Sequence, residues 1–281
     1  MPELPEVQTI VNDLQILTGD TIIGFWSDFK KAIKTKGLEK CIVGKKITKI
    51  KRLGKNVIFE LSDQHFLIIH LKMTGRLILA KSKKPACRQT RLKAKSPNEK
   101  HLHQIFYLKK NGSLEFHDIR KFATLELVSG EKILEITASK GIDPLSESFT
   151  LKNFIEIIEK RKHKNVKSFL MDQSAISGIG NIYASEIPYD AKINPLRKIG
   201  SLRETEVRFL FKSISKILTK AIKLRGTSFS DYRDASGEKG SFQHQLKVYG
   251  KAGKKCSKCG TIIEKVIVEQ RSTFYCPICQ H

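Results

Sequence analysis

The amino-acid sequence predicts an α+β protein with an N-terminal antiparallel β-sandwich and a C-terminal helical part that ends in a small cysteine-based unit. Three observations support this prediction. Short segments rich in β-branched and aromatic residues run through residues 20–130, separated by Gly, Asn and Asp. From Leu151 onward the apolar residues recur at helical spacing instead. Four of the six cysteines lie in residues 246–281.

The first predicted element is a helix that flanks the sandwich. Pro5 suits a first helical turn, because the N–H that proline lacks would have no partner there. Gly19 is suited to end the helix, since glycine readily adopts the left-handed conformation. The apolar positions between them follow helical spacing: Val7, Ile10, Val11, Leu14 and Leu17.

The sandwich strands are predicted from their composition and from the turns between them. Asn111-Gly112 is a typical hairpin turn, because both residues tolerate positive φ. Segments with strand composition are Ile47–Ile50, Val57–Leu61, Phe66–Leu71, Ile105–Leu108 and Thr124–Val128.

These patterns divide the chain into a β-sandwich domain, a linker and a helical domain, followed by the cysteine-based unit. The linker contains the helix-breaking segment Gly141–Leu145, and the helical domain contains a second clear helix over Thr205–Leu224. The predicted bounds are 1–135, 136–150, 151–245 and 246–281.

The charge of the chain predicts a polyanionic partner. Lys and Arg number 52 against 28 Asp and Glu, which gives a net charge of +24 and a pI near 9.8. Residues 1–150 carry +11 and residues 151–281 carry +13, as expected if the partner lies between two halves. Two denser patches are Lys81–Lys95 and Lys160–Lys167, of which the first has the composition of an exposed loop. Nucleic acid is the favoured partner.

Other classes of protein are disfavoured. No run approaches eighteen apolar residues, so no membrane span is expected. Met1–Glu6 has neither a basic nor an apolar signal-peptide region, so we expect a cytoplasmic protein. In that reducing compartment cysteines are more often metal ligands than disulfides.

The strongest local motif is a pair of Cys-x-x-Cys sequences separated by sixteen residues. This spacing is typical of a four-thiolate site for one structural zinc ion, and four thiolates leave no open position for catalysis. The remaining alternative is two disulfides. Cys41 and Cys87 lack such spacing and are expected to be ordinary thiols. The four candidate ligands are Cys256, Cys259, Cys276 and Cys279.

The N-terminus offers a candidate nucleophile. Removal of Met1 would leave Pro2 with a secondary α-amine, and an α-amine has a pKa of about 8. The neutral amine can attack an electrophilic carbon and form a cationic iminium. Glu3 and Glu6 lie close enough in sequence to transfer protons. Many proteins begin with Met-Pro, so the dipeptide alone is weak support.

Five segments together resemble the bacterial formamidopyrimidine-DNA glycosylase family. Met1–Val7 resembles its N-terminus, and Met171-Asp172 with Gly178–Ala184 resembles its helix-two-turn-helix signature. Gln245–Gly250 and Gln270–Cys276 resemble the start and the second half of its zinc finger. The segments occur in the family's order from end to end. Leu4 and Val7 favour this branch over the related endonuclease VIII branch.

The resemblance implies a fold, an activity and a partner. The fold is a β-sandwich followed by a helix-two-turn-helix domain and a four-cysteine zinc finger. The activity is a bifunctional glycosylase and lyase of base excision repair that removes oxidised purines from damaged double-stranded DNA as a monomer. Pro2 would be the nucleophile and Glu3 the proton donor, with Lys55 assisting β-elimination and Arg271 gripping phosphate and assisting δ-elimination.

The resemblance also implies residues that flip the damaged base. Extrusion of a base leaves a gap in the stack, which Met73 and Phe122 would fill while Arg120 faces the orphaned base. Without the resemblance, Met73 and Phe122 would be expected in the core. Other family positions that contact DNA, mostly at phosphates, match His70, His101, Lys162, Lys167 and Asn181.

Departures from the family pattern cluster near lesion recognition and leave the lesion preference open. Lys72 and Arg225 stand where the family usually has glycine. Ile119, Lys121 and Ala123 alter a family segment around Arg120. Two other functions remain as alternatives: a non-catalytic zinc-ribbon DNA-binding protein, and an oxidised-pyrimidine glycosylase.

Overall fold

The computed structural model describes residues 1–80, 101–229 and 231–281. The basic patch Lys81–Lys95 and Cys87 lie outside the described residues. The described chain forms two compact units. Unit 1 comprises Met1–Thr137 and Arg225–Gly240, and unit 2 comprises Ala138–Leu224 and Ser241–His281. We call Arg225–Gly240 the returning segment, because the chain comes back to unit 1 there.

In its described residues, unit 1 contains helix α1, two four-stranded antiparallel sheets and two further helices. The predicted flanking helix is present, but α1 ends at Leu14 and a 3-10 turn over Gln15–Leu17 precedes Gly19. The helices are α1 (Leu4–Leu14), α2 (Leu38–Ile42) and α3 (Gly130–Ala138). The strands are β1 (Ile22–Ser27), β2 (Ile47–Leu53), β3 (Asn56–Leu61), β4 (His65–His70), β5 (Gly75–Ala80), β6 (Leu102–Leu108), β7 (Ser113–Asp118) and β8 (Thr124–Ser129).

The two sheets have the orders β1-β6-β7-β5 and β2-β3-β4-β8, and all their neighbours are antiparallel. Successive side chains of a strand point to opposite faces. Val57 and Phe59 therefore join one core with Phe106 and Phe116 of the other sheet, while Ile58 packs on the opposite face. There Ile58, Ile68 and Val128 are covered by Ile133 of α3. The middle of the β2-β3-β4-β8 sheet is thus buried on both faces.

Unit 2 is helical and ends in a two-stranded hairpin. The helix predicted from Leu151 is present. The helix predicted over Thr205–Leu224 is also present, with each end displaced by one residue. The elements are α4 (Leu151–Glu159), α5 (Val166–Met171), α6 (Tyr183–Ala191), α7 (Glu204–Lys223), β9 (Glu264–Val268) and β10 (Arg271–Tyr275).

The α+β fold predicted from the sequence is confirmed, with antiparallel sheets, a helical domain and a four-cysteine unit in the expected order. Two details of organisation differ from the sequence-based bounds. Helix α3 extends over residues 136–138, inside the expected linker. The returning segment lay within the expected helical domain but packs in unit 1, where Ala235 accepts a hydrogen bond from Leu79 at 2.8 Å. None of the helices in the described ranges is long and apolar enough to cross a lipid bilayer.

Candidate active site, nucleic-acid surface and zinc centre

The start of the chain is packed into unit 1 rather than left as a free tail. Pro2 is buried, and the Glu3 side chain is only 3% exposed. Glu3 is the N-cap of α1, and its backbone N–H donates to Glu6 Oε2 at 2.8 Å. The helix therefore holds Pro2 and Glu3 in a defined conformation.

The Glu6 carboxylate also binds the returning segment. Its second oxygen, Oε1, accepts the Thr227 N–H at 2.7 Å. Gly226 makes this approach possible, because a Cβ there would lie 2.8 Å from Glu6 Oε1 and its φ is +78°. Tyr232 donates its hydroxyl to the Glu6 carbonyl oxygen at 3.3 Å. Glu6 thus joins the first turn of α1 to residues more than 220 positions later in the chain.

Lys55 and His70 lie at one end of the β2-β3-β4-β8 sheet. Lys55 occupies the two-residue turn between β2 and β3, and Asn56 after it pairs with His70 at the end of β4. The first turns of α1 lie toward the same end, since Gln8 accepts a hydrogen bond from Arg52 near the end of β2 at 2.9 Å. The structure therefore brings the N-terminus, Lys55 and His70 to one end of the sandwich.

Two loops meet at this end through Asp118. The Thr74 hydroxyl donates to Asp118 Oδ1, and the Ala123 N–H donates to Oδ2 at 2.9 Å. The Arg120 N–H donates to the Thr74 hydroxyl at 3.0 Å. Asp118 is only 3% exposed, so its carboxylate is a buried link between the two loops. Sequence reasoning missed its role, although its place directly before the segment 119–123 was a signal.

The hydrogen bonds of Asp118 bring Met73, Arg120 and Phe122 together on the surface. Arg120 Nη1 lies 2.9 Å from Met73 Sδ, and the guanidinium lies 4.8 Å from the centre of the Phe122 ring. Met73 is 44% exposed and Phe122 is 55% exposed. Large apolar side chains at such exposure contribute little to a core, so the expectation that they are core residues does not hold.

Three of the departures from the family pattern have left-handed backbones. Lys72, Lys121 and Arg225 have φ of 52°, 58° and 59°. Glycine is the residue that adopts this region without cost, which accounts for the family's usual glycine at two of these positions.

His101 lies just before β6, where its carbonyl oxygen accepts the Asp118 N–H at 2.8 Å.

In unit 2 the turns between α5 and α6 are built around Asp172. Its carboxylate accepts hydrogen bonds from Lys164 at 2.8 Å, Arg161 at 3.2 Å and the Ser174 hydroxyl at 2.7 Å. Burial raises the pKa of Asp172, but the bonds from Lys164 and Ser174 outweigh burial and hold the pKa well below its usual value. The carboxylate therefore stays charged and orders the basic loop before α5.

Lys167 of α5 contacts Asn181 in these turns. Lys167 is 1% exposed, and its ammonium donates to the Asn181 carbonyl oxygen at 3.0 Å and to Ser185 Oγ at 2.8 Å. Asn181 Oδ1 is buried and has no hydrogen-bond partner among the described residues. Lys167 thus supports the turn, and a phosphate contact by either residue stays a prediction.

Arg271 lies at the edge of a groove that also contains Lys167. One side of the groove is lined by Lys164, Ser168, Met171 and Asp172, and the other by Val268, Glu269 and Arg271. Arg271 is the first residue of β10 and follows a two-residue turn in which both residues have positive φ. The groove thus brings Arg271 together with Lys164 and Lys167 in a lining that also contains two acidic residues. Lys162 lies elsewhere in the basic loop, exposed and paired with Glu159 at 2.6 Å.

The four predicted cysteines converge on one point. All four Sγ atoms lie within 4.8 Å of one another, with Cys256 and Cys279 at 3.9 Å and Cys259 and Cys276 at 3.4 Å. Tetrahedral ligation with Zn–S bonds of about 2.3 Å places sulfurs about 3.8 Å apart, so the cluster fits one structural zinc ion. Backbone N–H groups of Lys258 and Cys279 donate to the sulfurs of Cys256 and Cys276, both at 3.4 Å.

Glu186 connects α6 to the zinc finger and was missed by sequence reasoning. Its carboxylate, 3% exposed, accepts the N–H groups of Lys247, Val248 and Tyr249 at 2.8–2.9 Å. Burial raises the pKa of Glu186, against the effect of these bonds. A glutamate amid the small and apolar residues of α6 was the available signal. The finger is thereby anchored in unit 2.

These features define a class of protein with a β-sandwich, paired helices joined by two turns, and a four-thiolate finger. Residues 1–125 match the family model for the formamidopyrimidine-DNA glycosylase N-terminal domain. Residues 140–233 match the H2TH domain of that family, and residues 253–281 match a zinc finger found in FPG and IleRS.

Individual proteins agree with the family models. The chain is 38% identical to formamidopyrimidine-DNA glycosylase from Herpetosiphon aurantiacus and 41% identical to that from Carboxydothermus hydrogenoformans, and each pair aligns over 100% of both chains. The solved structure of a Lactococcus lactis FPG mutant with Fapy-dG containing DNA has a TM-score of 0.87 at 38% identity, covering 100% of both chains. The chain belongs to the formamidopyrimidine-DNA glycosylase family.

Proposed function

We propose that the protein is a DNA glycosylase and abasic-site lyase of base excision repair. Its substrate is damaged double-stranded DNA from which it removes oxidised purines, 8-oxoguanine and formamidopyrimidines. One observation carries the proposal. In unit 1 the buried residues Pro2 and Glu3 lie at the same end of the sandwich as the exposed side chains of Met73 and Phe122. A non-catalytic DNA-binding protein has no use for an ordered N-terminal amine beside a carboxylate.

The chemistry follows from the amine. With Met1 removed, the Pro2 nitrogen attacks C1′ of the damaged nucleotide, and the bond from C1′ to the base breaks with its electron pair on the base. Glu3 supplies a proton at the sugar, which assists ring opening to the iminium. The cationic iminium accepts electrons as a proton leaves C2′ and the 3′ phosphate departs. A second elimination releases the 5′ phosphate.

Lys55 and Arg271 are assigned to the two eliminations. Lys55 lies at the end of the sandwich that holds the N-terminus, which suits it to assist β-elimination. Arg271 lies in a groove of unit 2 with Lys164 and Lys167, which suits it to hold a phosphate and assist δ-elimination. Glu6 has both oxygens bonded to backbone N–H groups, so we assign it to ordering Glu3 as well as to proton transfer.

The remaining assignments concern DNA. Met73 and Phe122 fill the gap left by the flipped base, and Arg120, held beside both, faces the orphaned base. The 52 basic residues outnumber the 28 acidic residues, and the resulting positive charge attracts DNA phosphates whatever the base sequence. We assign DNA contacts to His70, His101, Lys162, Lys167 and Asn181. Action as a monomer in the cytoplasm is part of the same proposal.

A second substrate class, oxidised pyrimidines, is favoured by one comparison. A Lactococcus lactis FPG that is 38% identical has been solved with an oxidised pyrimidine containing DNA. The departures at Lys72, Lys121 and Arg225 lie in the loops near the assigned recognition residues.

A strand-cleavage panel tests the proposal. The purified protein is incubated with duplexes that carry 8-oxoguanine, a formamidopyrimidine, an oxidised pyrimidine or an abasic site opposite each of the four bases. We expect the purine lesions to be cut fastest, with phosphates at both new ends. Faster cutting of the pyrimidine lesion would favour the second class. Tight binding to every duplex without cleavage would contradict the proposal and favour a non-catalytic DNA-binding protein.

A further inference from the structure

Arg225 connects the returning segment to helix α1 through hydrogen bonds to two carboxylates. Its Nη2 donates to Asp13 Oδ2 at 2.6 Å, and its Nε donates to Asp234 Oδ2 at 2.7 Å. Asp13 lies on α1, two turns after Glu6, and is exposed to only 17%. Asp234 is fully buried. The hydrogen bond to Asp13 is the main cause that raises the pKa of Arg225 above its usual value, so the arginine is charged throughout the accessible pH range.

The two carboxylates organise both ends of the segment. Asp13 also accepts the Ala235 N–H at 3.3 Å. Asp234 Oδ1 accepts the N–H groups of Ser236 and Glu238, both at 2.9 Å. One guanidinium therefore connects the start of the returning segment, at Arg225, to the turn near its end. Gly240 closes the segment against the Arg225 carbonyl oxygen, where an added Cβ would lie only 2.4 Å away.

The backbone at Arg225 is held in a costly conformation. Its φ of 59° lies in the left-handed region, which is unfavourable for a residue that carries a side chain. The bonds to Asp13 and Asp234 offset this cost. They also fix the direction in which the chain enters Gly226, and Gly226 in turn lies against the Glu6 carboxylate.

We propose that Arg225 is a positioning residue for the reaction, because it holds the Thr227 N–H against Glu6 and through Glu6 orders the backbone of Glu3 beside Pro2. The path runs through two measured bonds, from Thr227 to Glu6 at 2.7 Å and from Glu3 to Glu6 at 2.8 Å. This inference rests on the proposed function for its kinetic consequence. Its structural consequence, an ordered Thr227 amide, does not.

The first test separates positioning from DNA binding. Arg225→Met removes the charge but keeps a side chain, so the left-handed backbone stays as unfavourable as before. Arg208→Met is the matched control, since Arg208 is a surface arginine paired with Glu204. We expect Arg225→Met to lower the single-turnover cleavage rate of a preformed abasic duplex about tenfold or more, because small displacements of reacting groups are costly. The DNA dissociation constant should change by less than twofold, and Arg225→Lys should recover part of the rate.

A double-mutant cycle tests the ion pair itself. Asp13→Asn is nearly isosteric and should reproduce the loss seen for Arg225→Met, and the double variant should be no slower than either single variant. Additive losses would overturn the proposal, as would an equal loss in Arg208→Met or a loss of rate that only follows a loss of DNA affinity.

Hydrogen exchange distinguishes failure of this inference from failure of the proposed function. The Thr227 and Glu3 amides should exchange faster in Arg225→Met and Asp13→Asn than in the wild type, with no change in Arg208→Met. If the wild-type protein cuts no abasic duplex, the proposed function fails, and faster exchange at both amides still supports the ordering by Arg225. Unchanged exchange at both amides overturns it.

Discussion

Arg120 Nη1 lies 2.9 Å from Met73 Sδ, and the same guanidinium lies over the Phe122 ring. The contact joins two loops that are separated by more than 45 positions in the chain. The three exposed side chains form one surface feature because Asp118 ties their loops together through Thr74. This cluster of side chains is suited to enter a base stack.

Replacing Met73 or Phe122 by Ala should impair cleavage only when a base has to be flipped. Unstacking costs a few kcal/mol, so we expect about tenfold or greater loss of cleavage at a lesion in a paired duplex. An abasic site in single-stranded DNA needs no flipping and should be cut at nearly the wild-type rate. Leu134→Ala is the control, because Leu134 is an exposed apolar residue of α3. Equal losses on both substrates would mean that Met73 and Phe122 serve only the fold.

The zinc site should be required for DNA binding but not for the folding of unit 1. Cys276→Ser removes a buried ligand, so metal binding should no longer stabilise the finger, and Arg271 should lose its position. We expect one zinc ion per wild-type chain, and a loss of DNA affinity of about tenfold or more in the variant. Cys41→Ser is the control, since Cys41 is exposed and outside the cluster. Full DNA affinity in zinc-free protein would contradict the assignment.

Charge and shape should separate in salt titrations. Arg271→Ala should weaken binding to all duplexes similarly and lower the slope of log affinity against log salt by about one, because one phosphate contact releases about one counterion. Phe122→Ala removes no charge and should leave the slope unchanged. Lys132→Ala removes an exposed lysine paired with Glu135 and controls for net charge. A slope unchanged by loss of Arg271 would exclude it from the phosphate contacts.

Lys72→Gly should stabilise the protein although it removes a lysine. The left-handed backbone at φ 52° favours glycine, and we expect a gain of about 0.5–1 kcal/mol in the free energy of unfolding. Gln64→Gly, at φ 61° in another turn of unit 1, should act in the same direction. Lys49→Gly, within strand β2, should destabilise. Urea titration monitors all three, and a destabilised Lys72→Gly would show that the lysine side chain makes a compensating contact.

Local patterns predicted much of this molecule. The cysteine spacing was sufficient for the zinc site because each Cys-x-x-Cys pair is a short-range feature. The content of β-branched and aromatic residues was sufficient for β3 and β4, whereas β1, β5 and β7 were not among the segments named. Strand β7, Ser113–Asp118, contains no β-branched residue and a single Phe, so its composition did not indicate a strand.

Long-range polar contacts were beyond the sequence. The bond from Thr227 to Glu6 joins residues 221 positions apart, and no local pattern indicates it. The buried carboxylate of Asp20 likewise orders the distant β6–β7 turn through the N–H groups of Lys110 and Asn111, both at 3.0 Å. Such contacts depend on the whole fold, so the residues that order the site were found only in the structure.

The most direct test of the account is to locate the covalent link to DNA. The protein is incubated with lesion-bearing duplex in the presence of borohydride, which reduces an imine to a stable amine, and the cross-linked peptide is identified by mass spectrometry. We predict that the link lies on an N-terminal peptide that begins at Pro2 and lacks Met1. A link on Lys55 or another lysine, or undiminished trapping by protein that retains an acetylated Met1, would contradict the assignment of Pro2 as the nucleophile.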